Sequence, residues 1–382
     1  MNSYLLSIII PTKNRQFYCL NSVKQIIECY GEQVEVVVQD NSDEPTLEEQ
    51  IKQIGYQNIK YNYKPGVLSF VDNFDLAISL SSGKYLTIIG DDDGVTSLAL
   101  EVTKYAEKHD ICAIKPSLSF VYFWPKSGVF EQKDNGVLHI YKYSGAMSEY
   151  DPADGVKVLL EKSCQNYLDC ELIKLYHGIV RRDLLESIKD KTGKYVGGLS
   201  PDIYLSVALS LVTEGKAVSL DVPVTISGIC TGSGSSQSAT GEHTGKLEDA
   251  PHFRGHTDYE WDYRIPRFYS VETIWGDSAL AAIKDIAPEY LQYYHSETIT
   301  HRCLRKYPKY KSIIIDSYFI NGGKRTKLGK YYLSRILNKL LSKVKHVQQN
   351  SPQKIIRDLT NISVAAKECE MWINEQETKI MM

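Results

Sequence analysis

Three consecutive carboxylates, Asp91, Asp92 and Asp93, stand directly after an apolar run in the stretch KYLTIIGDDDGV (84–95). Charges of one sign held that close repel each other, so the segment calls for a compensating cation. Hard oxygen ligands at the end of a buried strand suit Mg²⁺ or Mn²⁺. Such ions take one or two protein carboxylates and complete their shell with phosphate oxygens and water. The plainer alternative is an acidic turn that leads into the next helix. Two more polar groups follow earlier apolar runs: Thr12, Asn14 and Arg15 after LLSIIIP, and Asp40, Asn41, Ser42 and Asp43 after VEVVVQ. Far downstream, Asp202 follows Pro201 at the head of an amphipathic pattern. A carboxylate there either complements the helix dipole or acts as a general base.

The elements that must position these groups are legible upstream of each. Apolar, largely β-branched runs at 4–11, 34–40, 59–63 and 85–90 alternate with helical spacing at 16–30, 46–55 and 68–83. The alternation predicts an α/β fold, a Rossmann-like and mostly parallel sheet flanked by helices. Ligands of such sheets bind outside the carboxyl ends of the strands, which is where the polar groups fall. Further on, the spacing predicts helices over 98–110, 155–164 and 201–215 and strands over 111–116, 118–124 and 136–143. Residues 217–227 read as a strand pair or one bent strand, 231–257 as a long Gly/Ser/His loop, and 258 onward as a mainly helical C-terminal extension.

Composition narrows the class. The 382 residues are 43% hydrophobic and 24% charged with a net charge of −3, a globular balance that carries no nucleic-acid signature. Eight cysteines without a C-x-x-C pair read as reduced, buried thiols of a cytosolic protein. The opening apolar run is too short for a signal peptide, and no stretch reaches the ~20 apolar residues of a membrane span. No G-x-G-x-x-G follows the first strand, and NGGKRTK (321–327) is not a P-loop.

Taken together, SIIIPTKNR, VEVVVQDNSD, VDNFDLAISLSSGKYLTIIGDDD, YHGIVRRDLL and SPDIYL resemble glycosyltransferase family 2, over residues 4–280 or so. The resemblance implies a GT-A fold and a metal-dependent, inverting transfer of sugar from a nucleotide-sugar, a UDP-sugar first, to a saccharide or lipid-linked acceptor in bacterial surface polysaccharide synthesis. It implies that Pro11, Thr12 and Arg15 touch the nucleotide, that Asp40 accepts a hydrogen bond from uracil, and that Gly66 and Asn73 lie below the nucleotide. Asp91 to Asp93 become the D-x-D segment, in one of two frames: Asp91 on ribose with Asp92 on Mn²⁺ or Mg²⁺, or Asp91 with Asp93. Asp202 becomes the base, in Pro-Asp where the family commonly has Glu-Asp. His243 becomes a further metal or diphosphate contact. His177 and Gly178 fall beside the acceptor, while Arg181 and Arg182 face either diphosphate or solvent. Trp124, Trp261 and Trp275 either stack on sugars or pack in the core. The same resemblance divides the chain into a nucleotide-sugar half (1–110), an acceptor half (111–257) and the helical extension (258–382). The competing readings are a non-catalytic nucleotide-sugar-binding relative and a sugar-1-phosphate nucleotidyltransferase, whose glycine-rich loop after strand one is missing here.

No acidic residue lies between Asp316 and Asp358, and within that stretch Leu333, Ile336, Leu337, Leu340, Leu341 and Val344 share a helical face. A basic amphipathic helix over 324–345 suits an anionic membrane surface, here the cytoplasmic face. The alternative is packing on the catalytic domain. Self-association is left open.

Overall fold

The computed structural model describes residues 4–128, 135–231, 244–253, 259–331 and 351–376. Its first half alternates β1 (Leu6–Thr12), α1 (Gln16–Tyr30), β2 (Glu35–Asp40), α2 (Glu48–Ile54), β3 (Ile59–Tyr63), α3 (Phe70–Leu80) and β4 (Tyr85–Ile88). Successive strand residues point to opposite faces. Ile8 and Ile10 of β1 therefore join a core with Val23 and Ile26 of α1, whereas Ile9 joins Val37, Ala77 and Ile78 on the other face. With both faces covered, β1, β2 and β4 read as continuous apolar runs. Each buried Ile or Val contributes ~1.5–3 kcal/mol relative to exposure.

The chain continues through β5 (Gly94–Val95), α4 (Leu98–Lys108), β6 (Ile111–Pro116), β7 (Phe120–Phe123), β8 (Gly136–Ile140), β9 (Met147–Tyr150), α5 (Pro152–Glu161), β10 (Ile179–Arg181), α6 (Arg182–Thr192), α7 (Pro201–Val212), β11 (Lys216–Leu220) and β12 (Thr225–Ile229). The main sheet has the order β3-β2-β1-β4-β10-β6-β11-β9. β3, β2, β1 and β4 run parallel, as do β6 and β11, while β10 and β9 run antiparallel to their neighbours. This is the mostly parallel, helix-flanked arrangement expected. After β1 the chain moves away to β2 and β3, then returns to place β4 on the other side of β1. That reversal is the switch point at which a crevice opens, and it brings the end of β1 next to the end of β4.

Two short strands, β13 (Thr244–Gly245) and β14 (Tyr269–Ser270), pair with each other, and β15 (Lys354–Leu359) joins a second sheet ordered β15-β8-β7-β12-β5. The helix Ile362–Glu375 closes that sheet's core, with Ile362, Ala365 and Cys369 against Phe120 and Trp124. The sequence pattern reads this region as mainly helical and names no strand in it. β15 escapes it because it is an edge strand whose residues are mostly exposed and include Lys354, Arg357 and Asp358, so no apolar run announces it. Residues 217–227 resolve into two strands in different sheets, and Pro223 stands between them.

The helix Val271–Ile286 packs on α7, Glu297–Lys306 packs on it in turn and Lys311–Ile320 on Glu297–Lys306, all within the largest core. α7 was expected to be amphipathic. Instead it is buried almost throughout, Ile203 to Ser210 included, because α5, α6 and the helix Val271–Ile286 enclose it. All eight cysteines are free, and every one but Cys29 is buried. Among the described residues, no helix is long and apolar enough to cross a membrane.

Candidate active site

The switch point ties the three strand-end loops together. Thr12 Oγ1 donates to Asp91 Oδ2 at 2.6 Å, and the Thr12 carbonyl accepts from Asn41 N at 3.0 Å and from Asn73 Nδ2 at 3.4 Å. Asn14, at φ 55°, holds the first loop to the second: its Nδ2 donates to Asp43 Oδ2 at 2.8 Å and its Oδ1 accepts from Asp43 N at 2.9 Å. Arg15 stands just before α1 and turns its guanidinium onto the acidic segment. Its Nη2 lies 2.5 Å from Asp91 Oδ1 and 2.5 Å from Asp92 Oδ1. Burial alone would lower the Arg15 value, but Asp91 and Asp92 outweigh it and push it up. Burial pushes the Asp92 carboxyl up to about 7 despite Arg15, with Asp93 and Asp91 adding to the rise.

Backbone and side-chain donors from four directions fix the three aspartates. Ser22 of α1 donates to the carbonyls of Asp91 and Asp93 at 3.0 and 2.6 Å. The fully buried Trp124 donates Nε1–H to the Asp92 carbonyl at 2.8 Å, so this indole carries the loop from below and stacks on no sugar. Cys230 N donates to Asp92 Oδ2 at 3.1 Å. Asp93 spends both oxygens on the protein. Oδ1 accepts from Gly228 N at 2.6 Å, and Oδ2 accepts from Gly90 N at 2.6 Å and Tyr176 Oη at 3.2 Å, with His177 Nε2 at 3.3 Å. Position 228 admits no side chain, because a Cβ there would meet the Asp92 carbonyl oxygen at 1.8 Å.

These contacts decide what a cation would meet. The carboxylate oxygens of Asp93 are already satisfied, whereas one guanidinium group bridges the facing oxygens of Asp91 and Asp92. The donor chemistry fits a hard cation held through Asp92 and completed by phosphate and water. Among the described residues, no group of three His, Cys, Asp or Glu side chains forms a cage on its own.

Across the segment 174–177 lies Asp202, in the first turn of α7. Tyr176 links the two regions: its hydroxyl donates to Asp93 Oδ2 at 3.2 Å, and burial first, then the charges of Asp93, Asp202, Asp92 and Asp91, push its phenol well up. Among the described residues, no donor reaches the Asp202 carboxylate. Burial raises it to about 6, with Lys174 opposing and Asp93 adding. Lys174 is itself held in place, with Nζ 3.2 Å from the centre of the Tyr167 ring and donating to the Tyr167 carbonyl at 3.1 Å. The Tyr167 hydroxyl lies 3.1 Å from Ser206 Oγ, one turn along α7 from Asp202. A partly accessible carboxylate with a value near 6 is what general-base chemistry requires.

The remaining candidates divide. Pro11 and Asp40 sit at the ends of β1 and β2, and Asp40 is fully buried, its oxygens accepting from Ser42 N at 2.8 Å and Tyr61 Oη at 2.9 Å. Gly66, at φ 100°, gives its carbonyl to Asn41 Nδ2 at 3.0 Å. Asn73 lies beneath the same crevice, and its Oδ1 has no partner among the described residues. His243, with 232–243 and 254–258 of the long loop, lies outside the described residues. Arg181 pairs with Asp110 and Asp183, and Arg182 holds Gly83 O and Ser81 Oγ, so both serve the fold. Trp261 and Trp275 pack in the core. The sequence reading missed Lys174, Tyr176 and Gly228. Only Tyr176 had a signal, as the residue before His177 in a quoted motif.

Residues 7–115 match the family model described as Glycosyl transferase family 2. No curated protein sequence matches the chain. Among solved structures, S. aureus TarS 1–349 in complex with UDP-GlcNAc aligns with a TM-score of 0.46 at 13% identity, over 84% of this chain and 93% of that one. The same protein in complex with UDP gives 0.41 at 15%, over 59% of this chain and 60% of that one, less than two thirds of its length. The mannosyltransferase PcManGT from Pyrobaculum calidifontis, in complex with GDP-Man and Mn²⁺, gives 0.37 at 12%, over 90% and 89%.

Proposed function

We infer that this chain, a family 2 glycosyltransferase by its residues 7–115, moves a sugar from a nucleotide-sugar to an acceptor hydroxyl in one inverting displacement. The observation that carries the reading is the pairing of a charged platform, Asp91, Asp92 and Arg15, with the Asp202 carboxylate, which no donor reaches among the described residues and whose charge acts on the same Tyr176 as Asp91 to Asp93. Asp202 takes the acceptor proton as the acceptor oxygen bonds to the anomeric carbon. The bond from that carbon to the phosphate oxygen breaks, and the nucleoside diphosphate leaves. Mn²⁺ or Mg²⁺, bound through Asp92, supplies Lewis-acid stabilisation of the leaving diphosphate. Asp91 is assigned to ribose, Pro11, Thr12 and Arg15 to the phosphate side, and Asp40, Gly66 and Asn73 to the base side. His243 is assigned to the metal or diphosphate from the loop, on the resemblance alone.

The donor assigned is a UDP-sugar, and the acceptor a saccharide or lipid-linked saccharide of a bacterial surface polysaccharide. Residues 1–110 would form the donor half and 111–257 the acceptor half. A panel of UDP- and GDP-sugars with Mn²⁺, read by thermal shift and then by release of nucleoside diphosphate, tests this. At least one UDP-sugar is expected to raise the Tm and to yield UDP, faster with a saccharide acceptor present. Stabilisation by none of them, or by GDP-sugars alone, overturns the donor assignment.

A cytoplasmic membrane contact through 324–345 remains part of the proposal, although 332–345 lies outside the described residues. The start of the segment rests on the protein: Leu328 is buried, Lys327 Nζ pairs with Glu297 at 2.7 Å, and Tyr331 stacks on His301 at 4.1 Å. Deleting everything after Asn321 would also remove β15 and the helix Ile362–Glu375 from the second sheet's core, so the test is made in the full chain. Lys324, Arg325 and Lys330 are exposed. Changing all three to Glu in the full chain should weaken pelleting with anionic liposomes at low salt ~100-fold, from ~1 kcal/mol per near-surface charge. Equal pelleting of both proteins would remove the membrane contact from the account.

A further inference from the structure

We propose that Arg15 is the resident counter-ion of the Asp91–Asp92 pair and makes metal binding conditional on the donor's diphosphate. The inference rests on the reading that Asp92 is a metal ligand. Every oxygen of the pair is engaged without a metal: Asp91 Oδ2 by Thr12, Asp92 Oδ2 by Cys230 N, and both Oδ1 atoms by Arg15 Nη2. A divalent cation arriving alone at Asp92 Oδ1 meets a guanidinium 2.5 Å from that oxygen. Repulsion between the two cations, with Asp91 and Asp92 nearly sealed from solvent, opposes their joint occupancy.

Arg15 is held by charge rather than by a hydrogen-bond network. Among the described residues its Nε and Nη2 make no hydrogen bond of normal geometry; two ion pairs hold it, and the Tyr18 ring lies 5.9 Å away. A diphosphate offers a guanidinium the forked, doubly charged partner that suits it best. As Arg15 turns to the diphosphate, Asp92 Oδ1 is released and would be available to hold a divalent cation. Donor and metal then bind as a unit, and without donor the site keeps its carboxylates neutralised and captures no free cation. The coupling is reciprocal: what the diphosphate does for metal affinity, the metal does for diphosphate affinity.

The test measures free Mn²⁺ by electron paramagnetic resonance in titrations of the full chain, with and without UDP. Wild type is expected to bind Mn²⁺ at least ~10-fold more tightly with UDP, a typical coupling between sites. Arg15→Met should bind Mn²⁺ alone more tightly than wild type and lose most of the UDP enhancement. Because Arg15→Met leaves two buried carboxylates without a partner, Arg15→Lys serves as the folded control. Its ammonium keeps the charge but lacks the planar fork of a guanidinium, so it should still oppose Mn²⁺ alone while losing part of the UDP enhancement. Wild-type Mn²⁺ affinity that ignores UDP, folded Arg15→Met with wild-type Mn²⁺ affinity in its absence, or Arg15→Lys with the full UDP enhancement, overturns the proposal. Failure of the wild type to bind Mn²⁺ even with saturating UDP would instead overturn the metal reading on which it rests.

Discussion

Asp202→Asn is expected to abolish transfer, leave donor binding intact and make the protein more stable at neutral pH. The change keeps shape and removes basicity, and loss of a general base costs ~10²–10⁴ in rate. The stability gain follows from the environment that makes the base useful. In the fold its carboxyl is raised to about 6, chiefly by burial, against ~3.9 in an unfolded chain. A carboxyl raised by folding destabilises the native state when ionised. That cost is full above about 6 and absent below ~3.9. The side chain is partly exposed, so water screens the effect, and ~1–2 kcal/mol at pH 7 is the expected gain. The mutant should thus melt higher than wild type at pH 7 and indistinguishably near pH 4. For wild type, kcat should fall as pH drops through about 6, since the protonated form cannot accept the acceptor's proton. UDP release and melting curves across pH measure both. Turnover within about threefold of wild type, against that expected loss, would return Asp202 to complementing the dipole of α7. A mutant less stable at pH 7 would mean the carboxylate holds the fold together.

The central strands and the place of the site were legible because they depend on local pattern. Strands buried on both faces must be apolar throughout, so β1, β2 and β4 show themselves, and parallel alternation fixes the strand ends as the site. The division of labour within Asp91–Asp93 was not legible. Three identical side chains differ only in what reaches them, and the donors to Asp93 come from Tyr176 and Gly228, 83 and 135 residues away in sequence. Nothing local marks Lys174 either, because its position over Tyr167 and beside α7 is a product of packing. Trp124 was ambiguous for the same reason: an indole of a type that stacks on sugars instead donates to the Asp92 carbonyl. β15 hid because an exposed edge strand needs no apolar run.

That division of labour sets the second expected result. Asp92→Asn should fold and lose metal-supported nucleotide binding, since Asp92 Oδ1 faces only Arg15. Asp93→Asn should act through stability, because its oxygens accept from Gly228 N, Gly90 N and Tyr176 Oη, and an amide in that place sets an N–H group against at least one donor. A buried group left unsatisfied costs ~1–3 kcal/mol, so Asp93→Asn should melt several degrees lower while retaining a metal response in whatever fraction folds. The reverse pattern would select the frame in which Asp93 carries the metal.

The most direct measurement is calorimetric titration of the wild-type chain with UDP, in Mn²⁺ and then in EDTA, repeated on Asp92→Asn. The account predicts a saturable UDP site in Mn²⁺ that weakens at least ~10-fold in EDTA, and an Asp92→Asn chain whose weak binding no longer responds to Mn²⁺. UDP affinity equal in Mn²⁺ and EDTA, or an Asp92→Asn chain that still gains affinity from Mn²⁺, would contradict it.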